Sequence, residues 1–553
     1  STAEIKAAIT LQTTATSNIG LGANAVDSIT TGDNNVGLGD NALTATTTGT
    51  ENVAVGKGAL ISNISGNYNV GLGVDSLRLN TASNNTGLGS YTLYDNTTGA
   101  NNVAVGYDAL ANNTSASNNT AVGYSALVAN TTGNTNTAVG VDALSLNTTA
   151  HRNTAVGYSA LKVSAVAGNS NASNTAVGFN AGVATTTGVA NVFIGSQSAD
   201  ANTTGSQNTA VGLGALGGNT TASDNTAIGY YALTANTTGA YNTAVGLNSL
   251  AAATTGSAHT AIGAGALLTN TTGQKNTAVG VNALEANTTG NENSACGKDT
   301  LQTNTTGSNN AAVGMHALKG NTTASNNSAF GATALYTNTT GTQQVAVGYQ
   351  ALLESTTGGY NTAIGTQTLH NNTTGHSNAA IGRGTLYSMT TGTYNTGAGA
   401  HAMDGVSTGS NNAALGFGAG GSSSPSGNMT SQSNRICIGN NSISNVYVKV
   451  DWTVTSDARD KMNFSEVPHG LSFVNDLQPV KFDFKKSRDN ATPHGMSKYG
   501  FKAQDILALE GDNPIIIDND NEDSLKITNS HLIPVLVKAI QELSAKVTAL
   551  ENA

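Results

Sequence analysis

Charge is scarce in this chain: 10% of its 553 residues are Asp, Glu, Lys or Arg, against about 25% in an average globular protein. What charge there is leaves a net of −10, and no basic stripe with interleaved aromatics occurs, which argues against a nucleic-acid partner. Low charge also removes the self-repulsion that swells polar chains, so richness in Gly, Asn and Thr is compatible with order. Two cysteines, Cys296 and Cys437, are too few for a disulfide framework. Both stand at small or aliphatic strand positions and are expected as buried thiols, not as a pair. No apolar run approaches about 18 residues and nothing has the form of a signal peptide, so no membrane insertion is expected. The chain opens on Ser1, not Met, so a processed or excerpted start is expected, with an attachment region upstream.

Candidate chemistry is equally thin. The nine histidines are scattered without metal-ligand spacing, so no metal and no cofactor is expected. His316 and His401 share one column of the repeat described below and are read as surface positions. Only sixteen acidic residues precede residue 434, and no column repeats them. A glycosidase needs two carboxylates about 5–10 Å apart on one site, and no such pair is visible in sequence.

What is present is glycine at a fixed interval. Twenty-five times a small residue, an aliphatic residue and a glycine follow one another, as in Asn119-Thr120-Ala121-Val122-Gly123. From Gly178 to Gly416 the closing glycines are always 17 residues apart. A short fixed period marks a solenoid in which each repeat is one coil. The alternation around Ala121 reads as a strand of period two, with Thr120 and Val122 on one face and only the small residue on the other. The small column (Ala121, Ala138, Ala227) is expected to face neighbouring chains, while Val122 and Leu127 fill each chain's own coil.

Four residues after the glycine comes Leu (Leu110, Leu127, Leu144), then Asn-Thr-Thr-Gly segments such as Asn130 to Gly133, which read as turns. Asn leads nearly every strand, with His259 and Gln344 as exceptions, and stacked coils would align these amides into ladders. Tyr107, Tyr124, Tyr158, Tyr230 and Tyr349 share the position after the glycine. They are the candidates for a receptor-binding stacking face, with partial burial beside the Leu column as the alternative fate.

Composition divides the chain. Residues 1–433 hold 25 charged side chains and residues 434–553 hold 29. Residues 1–17 are a lead-in with a short helix expected around Ala3–Ile9, and residues 18–433 are the repeat shaft. Residues 434–455 hold a last coil and a connecting strand, Val446–Val450. Residues 456–553 read as a small α/β domain ending in a helix, Asn529–Asn552. Along it Ile533, Leu536, Ile540, Leu543, Val547 and Leu550 keep the spacing of a coiled-coil seam. Asn529 or Ser530 is expected to cap this helix, and Glu542 to pair with Lys546. One residue is lost between Gly73 and Gly89 and four are gained between Gly157 and Gly178; both changes are placed in turns.

Four motifs occur in order in the last 98 residues. They are Ser456-Asp457-Ala458-Arg459-Asp460-Lys461, Leu477-Gln478-Pro479-Val480-Lys481-Phe482, Gly500-Phe501-Lys502-Ala503-Gln504-Asp505, and Leu532 to Leu543. This region resembles the autoproteolytic intramolecular chaperone domain of phage endosialidases and tail fibres. It departs from that pattern at Lys502, where an aliphatic residue is usual, and at Asn529, where an aromatic is common. The resemblance implies a domain that assembles three chains, helps a β-rich fibre fold and then cuts itself off before a serine. It makes Ser456 the nucleophile and Lys461 its base, with the scissile bond at Thr455–Ser456. A serine hydroxyl does need such a base, and a lysine kept neutral by desolvation can serve. The shaft is similar to the head repeats of trimeric autotransporter adhesins, with a different period.

The reading is therefore a homotrimeric parallel β-solenoid of 17-residue coils followed by a small α/β chaperone: a bacteriophage tail fibre of the virion, made in the host cytoplasm. Its expected partners are a host glycan or outer-membrane protein, and other tail or baseplate proteins through a missing or N-terminal region. The expected chemistry is self-cleavage only. Two other readings stand beside it: a depolymerising tailspike enzyme acting on surface polysaccharide, and a surface or ice-binding adhesin, which would need a flat two-column Thr face.

Overall fold

The computed structural model describes residues 9–10, 16–164, 171–450, 452–487, 490–519 and 522–553. Residues 3–8 of the helix expected around Ala3–Ile9 and part of the four-residue insertion lie outside them, and Ile9 is in a strand, not a helix. Ile9–Thr10 form a short strand antiparallel to Ile19–Leu21. The chain divides into two compact units, Ser1–Gln343 and Gln344–Ala553, and the coil is the same in both.

In the first unit nineteen three-residue strands run from Ile19–Leu21 to Ser328–Phe330. Successive strands pair in parallel and in strict register, Thr120 with Thr137, Ala121 with Ala138 and Val122 with Val139. The shortened interval keeps the register, Val70 with Thr86, and so does the lengthened one, Thr154 with Thr175. Both length changes therefore fall between strands and leave the ladder undisturbed.

The face assignment is reversed. In each strand the middle residue is buried inside its own coil and the two flanking residues point outward: Ala121 is fully buried, whereas Thr120 and Val122 are partly exposed. The coil interior is narrow, and Leu from the opposite wall already occupies it. A Cβ on Gly71, in the small column, would sit 3.5 Å from Leu60 Cγ. Only a methyl fits there. The small column serves the chain's own core, and the aliphatic column before the glycine is left outside. Cys296 stands in that outer column and is exposed, not buried; Cys437, in the small column, is buried.

One coil inverts the rule and shows its logic. Phe193 takes the small position and is fully buried. The Leu position of the preceding coil is Gly182, whose added Cβ would meet Phe193 Cδ2 at 2.5 Å, and the Leu position of its own coil is Ala199. Large and small have traded places across one interior.

The Leu column is held at positive φ, for example 53° at Leu110 and 52° at Leu127. That conformation costs an L-residue about 1–2 kcal/mol, and full burial of a Leu returns about 1.5–3 kcal/mol, so burial wins. The closing glycines have no such compensation available. Gly123 has φ +142°, and a Cβ there would fall well inside van der Waals contact of Gly140 O in the next coil.

Two buried amide ladders complete the interior. In the strand-leading one, Asn35 Oδ1 accepts from Asn52 N at 3.0 Å and from Asn52 Nδ2 at 3.0 Å, while Asn52 Nδ2 also donates to Gly66 O at 2.9 Å. The second is built from the Asn of the Asn-Thr-Thr-Gly segments: Asn130 Nδ2 donates to Asn113 Oδ1 at 3.0 Å and to Gly133 O at 3.0 Å. These segments are turns whose Asn is fully buried. The following Thr hydroxyl is spent on the next coil, Thr131 Oγ1 to Thr148 O at 3.1 Å.

His259 replaces one Asn and keeps both roles, Nε2 bonding Gly273 O at 2.7 Å and Nδ1 accepting from Asn276 N at 3.2 Å. Burial pushes its pKa below the ordinary imidazole value, outweighing the opposing pull of those two backbone bonds.

The second unit continues the same coil through six strands, Val345–Val347 to Ile436–Ile438. Gln344 takes the Asn role, its Oε1 accepting from Ser355 Oγ at 3.1 Å. The connecting segment Val446–Val450 makes no strand pairing among the described residues, and its side chains are exposed. A strand needs a neighbour for its N–H and C=O groups, and this segment has none among the described residues.

Then follow helix α1 (Leu471–Asp476), an antiparallel hairpin (Val480–Ser487 with Asn490–Gly500), helix α2 (Ala503–Glu510), a short strand pair (Ile517–Asp518 with Lys526–Ile527) and helix α3 (Leu532–Glu551). Phe473, Leu477, Ile506, Ile516, Leu532 and Val535 form their shared core. The last helix starts later than expected. Asn529–His531 form a 3₁₀ turn, and no side chain caps α3. Glu542 reaches across to accept the first N–H of α1, Leu471 N, at 2.8 Å. Carboxylates favour helix N-termini, so Glu542 ties α3 to α1 and does not act as the intrahelical partner of Lys546.

Candidate functional site

The segment Ser456 to Lys461 is a single tight turn, and its own side chains hold it. Asp457 caps the 3₁₀ turn Ala458–Asp460, its Oδ1 accepting from Arg459 N at 2.9 Å. The Arg459 guanidinium grips the same carboxylate through Nε at 3.1 Å. That pairing holds the Asp457 carboxyl below the usual carboxylate range. Lys461 N closes the turn on Ala458 O at 3.2 Å. The turn brings residues five apart in sequence together: Lys461 Nζ lies 2.6 Å from Ser456 Oγ.

Both side chains are exposed in the single chain, as is Thr455. The segment around them is apolar and equally exposed, with Trp452 75%, Val454 79%, Met462 81% and Phe464 72% accessible. An apolar stretch this open is a surface awaiting cover.

Residues 456–512 match a known family model, that of the chaperone of endosialidase. The match begins at Ser456 and takes in α1, the hairpin and α2. No curated protein matches the chain. A β-solenoid of 17-residue coils followed by a chaperone-of-endosialidase segment fits an endosialidase-type or tail-fibre protein. No helix among the described residues is long and apolar enough to cross a membrane.

Behind the chaperone segment, α3 turns Leu532, Val535 and Ala539 into the domain core, while Ile533 (60%), Ile540 (66%) and Leu550 (78%) stay open to solvent. The seam at coiled-coil spacing is thus the face that the chain does not cover itself.

The five tyrosines are about half exposed and do not form one cluster. Tyr107 and Tyr124 stack with ring centres 5.7 Å apart, and Tyr158 stacks on Phe179 at 5.4 Å. Tyr230 packs edge-on against Tyr231 at 4.4 Å, and Tyr349 belongs to the other unit. His316 bonds Asp299 at 3.2 Å. His401 bonds Arg383 at 2.8 Å.

Sequence reasoning passed over Arg383, Asp404 and Asn428. The signal was available: two charges within 21 residues of an otherwise neutral stretch, next to an interval of 23 residues between Gly416 and Gly439.

Proposed function

We propose that this protein is a homotrimeric tail-fibre adhesin of a phage virion, whose C-terminal domain gathers three chains, guides the solenoid into register and then cuts itself off before Ser456. The observation that carries this reading is the Ser456–Lys461 pair, 2.6 Å apart, at the start of the chaperone-of-endosialidase match.

The chemistry follows from that pair. A neutral Lys461 amine takes the Ser456 hydroxyl proton as Oγ attacks the Thr455 carbonyl carbon. The Thr455–Ser456 C–N bond breaks, the proton passes to the leaving amine, and an ester joins Thr455 to Ser456 Oγ. Water then hydrolyses the ester, leaving a Thr455 carboxylate and a new Ser456 amino terminus. An ammonium has no lone pair to offer, so the step requires water to be excluded from Lys461. The lone chain leaves Lys461 open. Neighbouring chains docking on Val454, Met462 and Phe464 would close it, and cleavage then waits for assembly. A chaperone that trimerises first raises the local concentration of the strands, and its removal leaves the wound shaft kinetically trapped.

A second feature supports trimerisation. The outward columns on either side of each closing glycine are largely apolar, for example Ile228 and Tyr230, or Ile262 with Leu247 one coil earlier, and all are exposed. Three identical solenoids share one rise per coil, so such stripes match along their whole length. The surface partner of the assembled fibre is a host glycan or outer-membrane protein, and other tail proteins join it on the N-terminal side. The spent Thr hydroxyls and the aliphatic column beside Thr120 do not make the two-column Thr face that ice binding needs.

The test is direct. Freshly folded full-length protein should yield a second fragment that begins at Ser456, and Ser456→Ala and Lys461→Ala should each leave full-length trimers. A wild type that stays whole after prolonged native incubation would remove the protease role and leave the chaperone role.

A further inference from the structure

Residues 344–433 carry only three charged side chains, Glu354, Arg383 and Asp404, and two of them meet in one cavity. The cavity has a volume of about 500 Å³, and its lining includes Gln367, Arg383, Tyr387, His401, Asp404 and Asn428. It forms where the repeat is broken. The long interval between Gly416 and Gly439 lays the Asn428 amide directly over the Cα of Gly405, leaving no room for a side chain there.

The polar groups are arranged in a chain. Arg383 Nη2 donates to His401 Nε2 at 2.8 Å, which makes Nε2 the acceptor and puts the imidazole proton on Nδ1. That nitrogen lies 3.6 Å from Asp404 Oδ2. His401 thereby orients the guanidinium without neutralising it, and among the described residues Arg383 makes no ion pair. One wall is aromatic: Tyr387 stacks on His370 with centres 4.9 Å apart and planes at 21°. A second amide, Gln367, is fixed by donating to Gln350 Oε1 at 3.0 Å.

A guanidinium with unspent N–H groups asks for an oxyanion, and its planar fork suits a carboxylate or sulfate. A carboxylate and two amides around it ask for hydroxyl groups, and a flat ring beside them suits the apolar face of a sugar. One cation, with the Asp404 carboxylate in the same cavity, is too little for a polyanion bound through its backbone charge. We infer that this cavity binds an acidic saccharide unit, its carboxylate or sulfate on Arg383 and its hydroxyls on Asp404, Asn428 and Gln367. The assignment rests on the adhesion reading above and places one receptor contact on the last coils of the solenoid.

The experiment titrates the full-length protein with oligogalacturonate, a heparin-derived sulfated oligosaccharide and a neutral dextran oligosaccharide, followed by ligand-observed NMR. Saturable binding of an anionic probe and none of dextran is expected; which anionic probe binds more tightly tells carboxylate from sulfate. Arg383→Gln should weaken binding by about tenfold or more, as loss of a charge-assisted contact does. Asn428→Ala, on an exposed loop, should weaken it several-fold with an unchanged circular dichroism spectrum. Absence of anionic binding, equal binding of dextran, or binding untouched by both substitutions would overturn the site. A separate arm measures retention of bacterial envelope polysaccharide. Retention that Arg383→Gln leaves unchanged removes this cavity and keeps the adhesion reading. No retention by wild type counts against that reading, and the oligosaccharide titration still decides the cavity.

Discussion

The exchange of large and small residues around Phe193 gives the sharpest test of how the coil is packed. Phe193→Ala alone removes a fully buried ring from a site whose neighbour is Gly182. No larger side chain there can relax into the space, so the cost should sit in the usual range for buried Phe→Ala, about 3–5 kcal/mol. Gly182→Leu alone should also destabilise, because its Cβ already falls 2.5 Å from Phe193 Cδ2; overpacking of this kind costs about 1–3 kcal/mol. The double substitution rebuilds the pattern of the other coils. The backbone accepts it, since Gly182 has φ +57° and Leu161, one coil earlier, has φ +48°. The double variant should therefore return to within about 1 kcal/mol of wild type, a coupling of about 3 kcal/mol or more. A solenoid does not unfold in one step, so the measurement should be local: hydrogen exchange by mass spectrometry on peptides spanning residues 175–211. With about 1.4 kcal/mol per factor of ten, Phe193→Ala should speed exchange there by about two to four orders of magnitude. The double variant should restore most of the protection. Additive losses in the double variant would refute the claim that the two positions fill one space.

Three further outcomes are expected. The buried His259 has a lowered pKa, so the unfolded chain takes the proton first. Its contribution is whole above the unfolded value of about 6.5 and is lost as pH falls below it, by at most about 1.4 kcal/mol per pH unit. After correction for the pH dependence of intrinsic exchange, protection of peptides around His259 should fall more steeply from about pH 7.5 to 5 for wild type than for His259→Asn, and parallel losses would exclude the effect. Gly229→Ala should destabilise by about 1–3 kcal/mol from its backbone alone, with φ +140° and a Cβ driven into Gly246 O. Gly265→Asn should be near neutral in the same local hydrogen-exchange assay, because Asn248 and Asn282 hold the equivalent place at φ +52° and +55°. Cys296 is exposed in the single chain and stands in the outward aliphatic column. In the assembled protein a maleimide should label it slowly, and Leu536→Lys with Ile540→Lys should make it fast. Rapid labelling of the wild-type assembly would put the seam on another face.

The 17-residue spacing of the repeat was enough to read the architecture. Seventeen-residue intervals, strand parity, turn chemistry and the Asn ladder all depend on local rules and on a period, and both are written in the order of residues. Ser456 and Lys461 were legible only through the family resemblance of their motif; the Asp457-capped turn that brings residues five apart in sequence within 2.6 Å belongs to the folded structure. What sequence could not say was which face of each strand is inside. Parity divides Ala121 from Val122, but hydrophobicity alone sends Val inward. Only the closed coil shows that Leu127 and two amide ladders have already filled the interior, so the larger aliphatic is expelled and the methyl kept. The same closure decides that Cys296 lies outside and Cys437 inside. It also gathers Arg383, His401, Asp404 and Asn428 into one cavity, because stacking coils places residues about 17 apart side by side and the long interval after Gly416 folds back over them.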